Sequence, residues 1–202
     1  MPPAIVPKVI AITGTIGSGK SLVGKILAER NIPVIDSDQV VHDLLSTNKP
    51  LQKAITDRFG QAITLENNGI DRDKLGAIVF TDETSRRDLE LLVHPAVISE
   101  INRQLERLSG EPLAAVLAPL LFEAGLSGQY DEIWAVVAAE PVIRSRLKRR
   151  DNLSDREIDC RLSAQWSQEE KAARCHSIID NSGTIEDTRH QVETLLSRHY
   201  AS

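Results

Sequence analysis

The sequence predicts an α/β protein built on a parallel sheet. Three observations carry that reading. Short strand-like runs alternate with amphipathic helical runs along the chain. A glycine-rich segment joins the first strand to the first helix. One interval of more than seventy residues, between Asp38 and Leu113, reads as helix throughout.

The elements follow in order. Val9–Thr13 is a β-branched run that stops at Gly14. Lys20 to Arg30 has Leu22, Val23, Ile26 and Leu27 at helical spacing, and Asn31 with Pro33 ends it. Val34-Ile35 is a second short strand, closed by Asp36-Ser37-Asp38. The long interval divides into helices over Gln39–Ser46, Leu51–Phe59, Asp73–Phe80, Ser85–Leu92 and Pro95–Leu108, with His94-Pro95 as a loop-to-helix junction. Leu113–Leu121 is apolar throughout, as a strand buried on both faces should be. Ile133–Ala138 and Ser177–Ile179 complete five strands. Pro141 to Arg174 is helical and densely charged, so it is expected to project into solvent. Glu186–His199 is a helix closing one face of the sheet. The resulting domain reading is a core of residues 1–38, 111–140 and 175–202, a helical insert over 39–110, and a small helical lid over 141–174.

Composition excludes several classes. The chain has 202 residues, 41% hydrophobic and 26% charged, in the range of a globular protein. Its net charge of −5 argues against a nucleic-acid partner, which calls for excess basic charge. The longest apolar run, Leu113–Phe122, is too short to span a bilayer and contains Pro119, so no membrane association is expected. Pro2, Pro3 and Pro7, with no basic stretch beside them, do not read as a signal peptide. Cys160 and Cys175 give neither a disulfide framework nor metal-ligand spacing, so both are read as reduced thiols of a cytoplasmic protein. His42, His94, His176, His190 and His199 are scattered without the spacing of a zinc site.

Gly14-Thr15-Ile16-Gly17-Ser18-Gly19-Lys20-Ser21 fits G-x-x-x-x-G-K-[ST] in the strand-then-helix context that gives the pattern meaning. Glycines let backbone N–H groups approach phosphate oxygens, and the helix start adds partial positive charge. Lys20 can reach the β- and γ-phosphates, and the Ser21 hydroxyl can ligate Mg²⁺. The core is therefore read as a P-loop NTPase type with a five-stranded parallel sheet. The carboxyl end of the second strand is expected beside this loop. There Asp36 and Asp38 share one side of an extended segment. One could accept a proton from an attacking hydroxyl, or either could cap the following helix. Spacing leaves both roles open.

Arg144, Arg146, Lys148, Arg149 and Arg150 form the basic run of the lid. Arg146 lies one helical turn from Arg149 and Arg150, and an arginine on a transferring phosphoryl group accelerates transfer. The alternative is a solvated face paired with Asp151, Asp155 and Glu157. Asp57-Arg58-Phe59-Gly60 fits a D-x-x-G string but lacks a preceding strand, and Asn48-Lys49-Pro50-Leu51 lacks the guanine-reading aspartate. A GTPase is therefore discarded.

The ordered set of motifs resembles the dephospho-CoA kinase family over nearly the whole chain. The set comprises Thr13–Ser21, Asp36-Ser37-Asp38, Phe59-Gly60, Ile70-Asp71-Arg72, Val79-Phe80, His94-Pro95, Pro119–Glu123, Arg146, Arg150-Asp151, Gln165 and the Asn181-x-Gly183 turn. The resemblance implies ATP-dependent phosphorylation of the ribose 3′-hydroxyl of dephospho-CoA, with Mg²⁺, by a cytoplasmic enzyme expected to be a monomer. It implies Asp38, Lys20 and Arg146 as catalytic. Gly14, Gly17, Ser18, Gly19, Lys20, Ser21, Leu22, Arg149, Asn181 and Gly183 would hold ATP. Asp36, Arg72, His94 and Leu120 would hold the acceptor, and Ser21 the metal. The chain departs from the family pattern at Thr15, usually Gly, at Ser37 for Ala, at Leu22 for Thr, and at His42, where Arg is frequent. Rival readings are a nucleoside monophosphate kinase, which the long insert together with His94-Pro95 and Pro119–Glu123 disfavours, and a nucleotide-dependent switch, which Asp36 and Asp38 disfavour.

Overall fold

The computed structural model describes residues 6–65 and 69–200. Pro2 and Pro3 lie outside the described residues. The chain forms two compact units, residues 1–35 with 108–202, and residues 36–107.

The first unit carries the sheet. Its strands are β1 (Lys8–Thr13), β2 (Val34–Asp36, which runs to the edge of the unit), β3 (Leu113–Leu117), β4 (Glu132–Val137) and β5 (Ser177–Asp180). The order is β2-β3-β1-β4-β5, with β1 parallel to β3 and β4, and β4 parallel to β5. The expected adjacency of the second strand and the phosphate loop is corrected here. β3 lies between β2 and β1, with Ala115 N donating to Pro33 O at 2.9 Å. β3 is also shorter than its apolar run. Ala118 still donates to Ile12 O at 2.9 Å, but Pro119 has no N–H to extend the ladder, and Leu121 N turns back to Ala118 O.

α1 (Lys20–Glu29) and α9 (Ile185–Tyr200) pack on the sheet. The core is aliphatic around Trp134, with Ile10, Ile12, Val23, Ile26, Leu27, Ala115, Val136, Ile179, Val192 and Leu196 all buried. Burial of side chains of this size is worth about 1.5–3 kcal/mol each before conformational entropy is charged against it. The charged stretch between β4 and β5 forms α6 (Glu140–Asp151), α7 (Asp155–Ser163) and α8 (Gln168–Ala172). It does not simply project into solvent. Ile143, Leu147 and Ile158 make a small buried cluster with Ala138, and Ile16 of the glycine-rich segment packs against it. The long arginine and lysine stems had masked these few apolar anchors.

The second unit is helical. It contains α2 (Ser37–Thr47), α3 (Lys49–Phe59), α4 (Arg72–Thr81) and α5 (Glu83–Arg107), with a 3-10 turn at Gln61–Ile63. Asn48 ends α2 and caps α3, accepting from Leu51 N at 3.0 Å. The buried Gln52 side chain ties the two helices by donating to Leu45 O at 2.8 Å. The expected break at His94-Pro95 is absent, since α5 runs through it. Pro95 removes one donor, whose partner would be the Leu91 carbonyl. Leu91 is 74% exposed, so water can replace that donor, while Val93, Val97 and Ile101 stay buried along one stripe. Among the described residues, no helix is long and apolar enough to cross a membrane. Cys160 is exposed and Cys175 is half-buried, and burial pushes the Cys175 thiol up to about 11.

Candidate active site

The glycine-rich segment joins the buried end of β1 to α1. Gly17 (φ +79°) and Gly19 (φ +103°) occupy left-handed backbone that disfavours a side chain. Both are also crowded. A Cβ at Gly17 would lie 3.0 Å from the Ile143 side chain, and one at Gly19 would overlap the Asn181 amide nitrogen. Thr15 needs no such backbone, which is why a threonine is accommodated where glycine is usual. It is buried, as is Ser18. Neither Thr15 Oγ1 nor Ser18 Oγ has a hydrogen-bond partner among the described residues. No side chain caps α1, so its first turn presents backbone donors toward the loop.

Lys20 Nζ donates to Gly14 O at 2.8 Å and to Thr15 O at 3.0 Å, which folds the lysine over the loop. Ser21 is exposed at the first turn of α1. Leu22 turns its side chain toward the core, and its N–H donates to Gly19 O at 2.9 Å.

Arg146, on α6, separates from the rest of its basic run. Its Nη1 donates to Ser18 O at 3.1 Å and Gly17 O at 3.3 Å, and its Nη2 donates to Asn181 O at 2.8 Å. Asn181 follows β5 and is buried. It donates to Ser18 O at 2.7 Å and accepts from Thr188 Oγ1 at 2.9 Å. Gly183 lies exposed in the same turn. Arg144 instead pairs with Glu140 and Asp159, Lys148 with Asp155, and Arg150 with Asp151. These form a solvated ion-pair face rather than one cationic surface with Arg146. Glu157 takes no part in it, because it closes a capping box with Ser154. Arg149 is exposed.

Leu120, 41% exposed, follows β3 beside the buried Leu121 and Phe122. Glu123 of the same motif accepts from Trp166 N at 2.9 Å and pairs with Lys171 at 2.9 Å. Lys171 is fully buried and also donates to Pro119 O. Sequence reasoning missed Lys171, since a lysine inside a charged stretch carries no mark of burial.

In the helical unit, the Asp36 carboxylate caps α2, accepting from Asp38 N at 2.9 Å, while Asp38 lies exposed in the first turn. Of the two roles that spacing left open, the cap thus falls to Asp36. Arg72, at the start of α4, hydrogen-bonds His42 Nδ1 through its guanidinium, and His94 is half-buried midway along α5.

A five-stranded parallel sheet with a braced Gly14–Ser21 loop between β1 and α1 defines a protein of the P-loop NTPase type. The family model for dephospho-CoA kinase matches residues 8–187, and the chain belongs to that family. It is 43% identical to the dephospho-CoA kinase of Symbiobacterium thermophilum over 188 residues, which cover 92% of this chain and 79% of that one. The crystal structure of a Thermus thermophilus protein has a TM-score of 0.83 to it at 31% identity, covering 96% and 98% of the two chains. A dephospho-CoA kinase from Campylobacter jejuni has a TM-score of 0.71 at 27% identity, covering 94% and 96%.

Proposed function

We propose that the protein transfers the γ-phosphoryl group of ATP to the ribose 3′-hydroxyl of dephospho-CoA, giving coenzyme A and ADP. The observation that carries this reading is the Gly14–Ser21 loop. It has an uncapped helix start, three crowded positive-φ glycines and Lys20 folded over its carbonyls. The acceptor follows from the relatives, which are named dephospho-CoA kinase and align along almost all of this chain.

The loop's backbone donors hold the β- and γ-phosphates, and Lys20 exchanges its carbonyl partners for phosphate oxygens. The partnerless Thr15 and Ser18 hydroxyls suit the same polar ligand. Ser21 supplies one hard oxygen for Mg²⁺. Among the described residues no cluster of three acidic, histidine or cysteine side chains forms a cage, which fits an ion held chiefly by nucleotide phosphates. The chemistry such an ion would supply there is neutralisation of phosphate charge. Asp38 accepts the hydroxyl proton, with Asp36 engaged as a helix cap. The helices of residues 39–110 hold the acceptor, with Arg72 and His94 as its polar contacts and Leu120 as an apolar one. Residues 141–174 serve as a lid, from which Arg146 and Arg149 offset phosphate charge and exclude water. Asn181 and Gly183 border the adenine. The enzyme acts in the cytoplasm, as a monomer.

The test is ADP release from ATP and Mg²⁺ with dephospho-CoA, AMP, CMP or no acceptor, with product mass measured. Stimulation by dephospho-CoA alone, with a product heavier by one phosphoryl group, is expected. Stimulation by a nucleoside monophosphate instead would reassign the acceptor.

A further inference from the structure

Three side chains spaced three residues apart link the segment 165–171 to three strand ends. Gln165 Oε1 accepts from Ile16 N at 3.0 Å, inside the phosphate loop that follows β1. Gln168 makes a paired amide contact with Ala138 at the end of β4, accepting from its N–H at 2.8 Å and donating to its carbonyl at 3.0 Å. Lys171 reaches the end of β3, where it meets Pro119 O and the Glu123 carboxylate. Glu123 returns to the segment by accepting from Trp166 N, and the Trp166 ring stacks on Phe122 with centroids 5.7 Å apart and planes 8° apart.

The energetics of the anchor are unusual. Lys171 is fully buried, and a buried ion pair seldom adds stability over apolar residues of the same shape. Glu123 Oε2 is also buried and has no partner among the described residues, so the carboxylate depends on Lys171 and the Trp166 N–H for compensation. What such a pair supplies is a single fixed arrangement. Here the arrangement fixes where Gln165 meets Ile16, and Ile16 directly precedes the positive-φ Gly17.

We propose that residues 165–171 form a clamp that sets the phosphate loop for phosphoryl transfer. Gln165, Gln168 and Lys171 are its positioning residues, and the Lys171–Glu123 pair is its anchor. The clamp acts through the backbone of Ile16 and touches neither nucleotide nor acceptor. Its action would be felt in nucleotide binding and kcat, and not in the KM for the acceptor.

Four variants of the full chain separate positioning from folding: Gln165→Ala, Lys171→Met, Lys171→Arg, and the double variant Glu123→Gln with Lys171→Met. Each is measured for Tm, for the Kd of a non-hydrolysable ATP analogue, and for kcat and acceptor KM. Gln165→Ala is expected to keep the parent Tm and acceptor KM. Its losses in nucleotide affinity and kcat should together come to about tenfold, the effect of one hydrogen bond. Lys171→Met lowers Tm by stranding Glu123. The double variant recovers Tm while nucleotide affinity stays low, and Lys171→Arg recovers both. Parent-like affinity and kcat in Gln165→Ala would overturn the proposal. So would a double variant that regains nucleotide affinity together with Tm. If Lys171→Met does not fold, Gln165→Ala and the double variant still decide. The analogue titration requires no acceptor, so a wrong acceptor assignment would show separately in the parent enzyme.

Discussion

The Arg146 guanidinium and the Asn181 carbonyl lie 2.8 Å apart, and both residues also donate to the Ser18 carbonyl. One loop oxygen thus receives an arginine from α6 and an amide from the turn after β5. The arginine that family resemblance assigns to phosphate also braces, in this structure, the loop that would hold the phosphate.

Arg146→Ala should therefore lose kcat by about 10²-fold, in the range for removal of a preorganised donor. Nucleotide affinity should fall less. Arg146→Lys should not restore turnover, because a single ammonium cannot span Ser18 O and Asn181 O as a planar fork does. Steady-state kinetics beside a nucleotide titration check this. A variant that loses binding and keeps kcat would make Arg146 a binding residue only.

Position 19 tests the loop itself. Gly19→Ala combines a φ of +103° with an overlap on the Asn181 amide. A cost of about 1–3 kcal/mol is expected from the strained backbone, together with loss of nucleotide binding. Gly128→Ala is the control, since nothing lies within 4 Å of a Cβ built there. Thermal melts of both, with and without ATP, make the comparison. Equal Tm values would show that the turn relaxes around a methyl group.

Asp36, which ends β2, and Asp38, just beyond it, should separate cleanly. Asp36→Ala removes the α2 cap and should cost about 1 kcal/mol of stability. Asp38→Asn should keep ATP binding and lose turnover by about 10²–10⁴-fold, the usual contribution of a positioned base. Parent-like kcat in Asp38→Asn would remove that residue from the reaction.

Acid should act on α5. Hydrogen bonds from Arg103 and Gln104 hold the Glu100 carboxyl well below its ordinary 4.5, at about 2. A carboxylate depressed by folding stabilises above its unfolded pKa and loses that contribution as pH falls through the folded one. Glu100→Gln should therefore lower Tm at pH 7. The gap from the parent should close between about pH 4.5 and 2. A gap independent of pH would mean that packing, not ionisation, carries the effect.

The sheet and the loop were legible because each has a local signature. β-branched runs, one G-x-x-x-x-G-K-S string and an overlong helical interval suffice to lay out five strands and an insert. Strand order was not legible: nothing local states that β3 enters between β2 and β1. His94-Pro95 misled for a physical reason. Proline marks a break by what it removes, and exposure at Leu91 lets water make good the loss. Gln168 and Lys171 carry no local mark, and Gln165 stands in the ordered motif set without a role, because the roles of all three depend on which strand ends they meet. Only the folded chain brings residue 16 to residue 165, and residue 123 to residue 171.

Pro95 has one more consequence, for motion rather than shape. A helix of 25 residues ordinarily opens first at its ends, where fewer hydrogen bonds hold each turn. Without the rung at Pro95, the turn from Leu91 to Pro95 is held by one backbone hydrogen bond fewer than its neighbours. Amide protons on either side can then exchange with solvent in separate local openings. Among the described residues the longest helix therefore has its weakest backbone turn in its middle, beside His94, and not only at its ends.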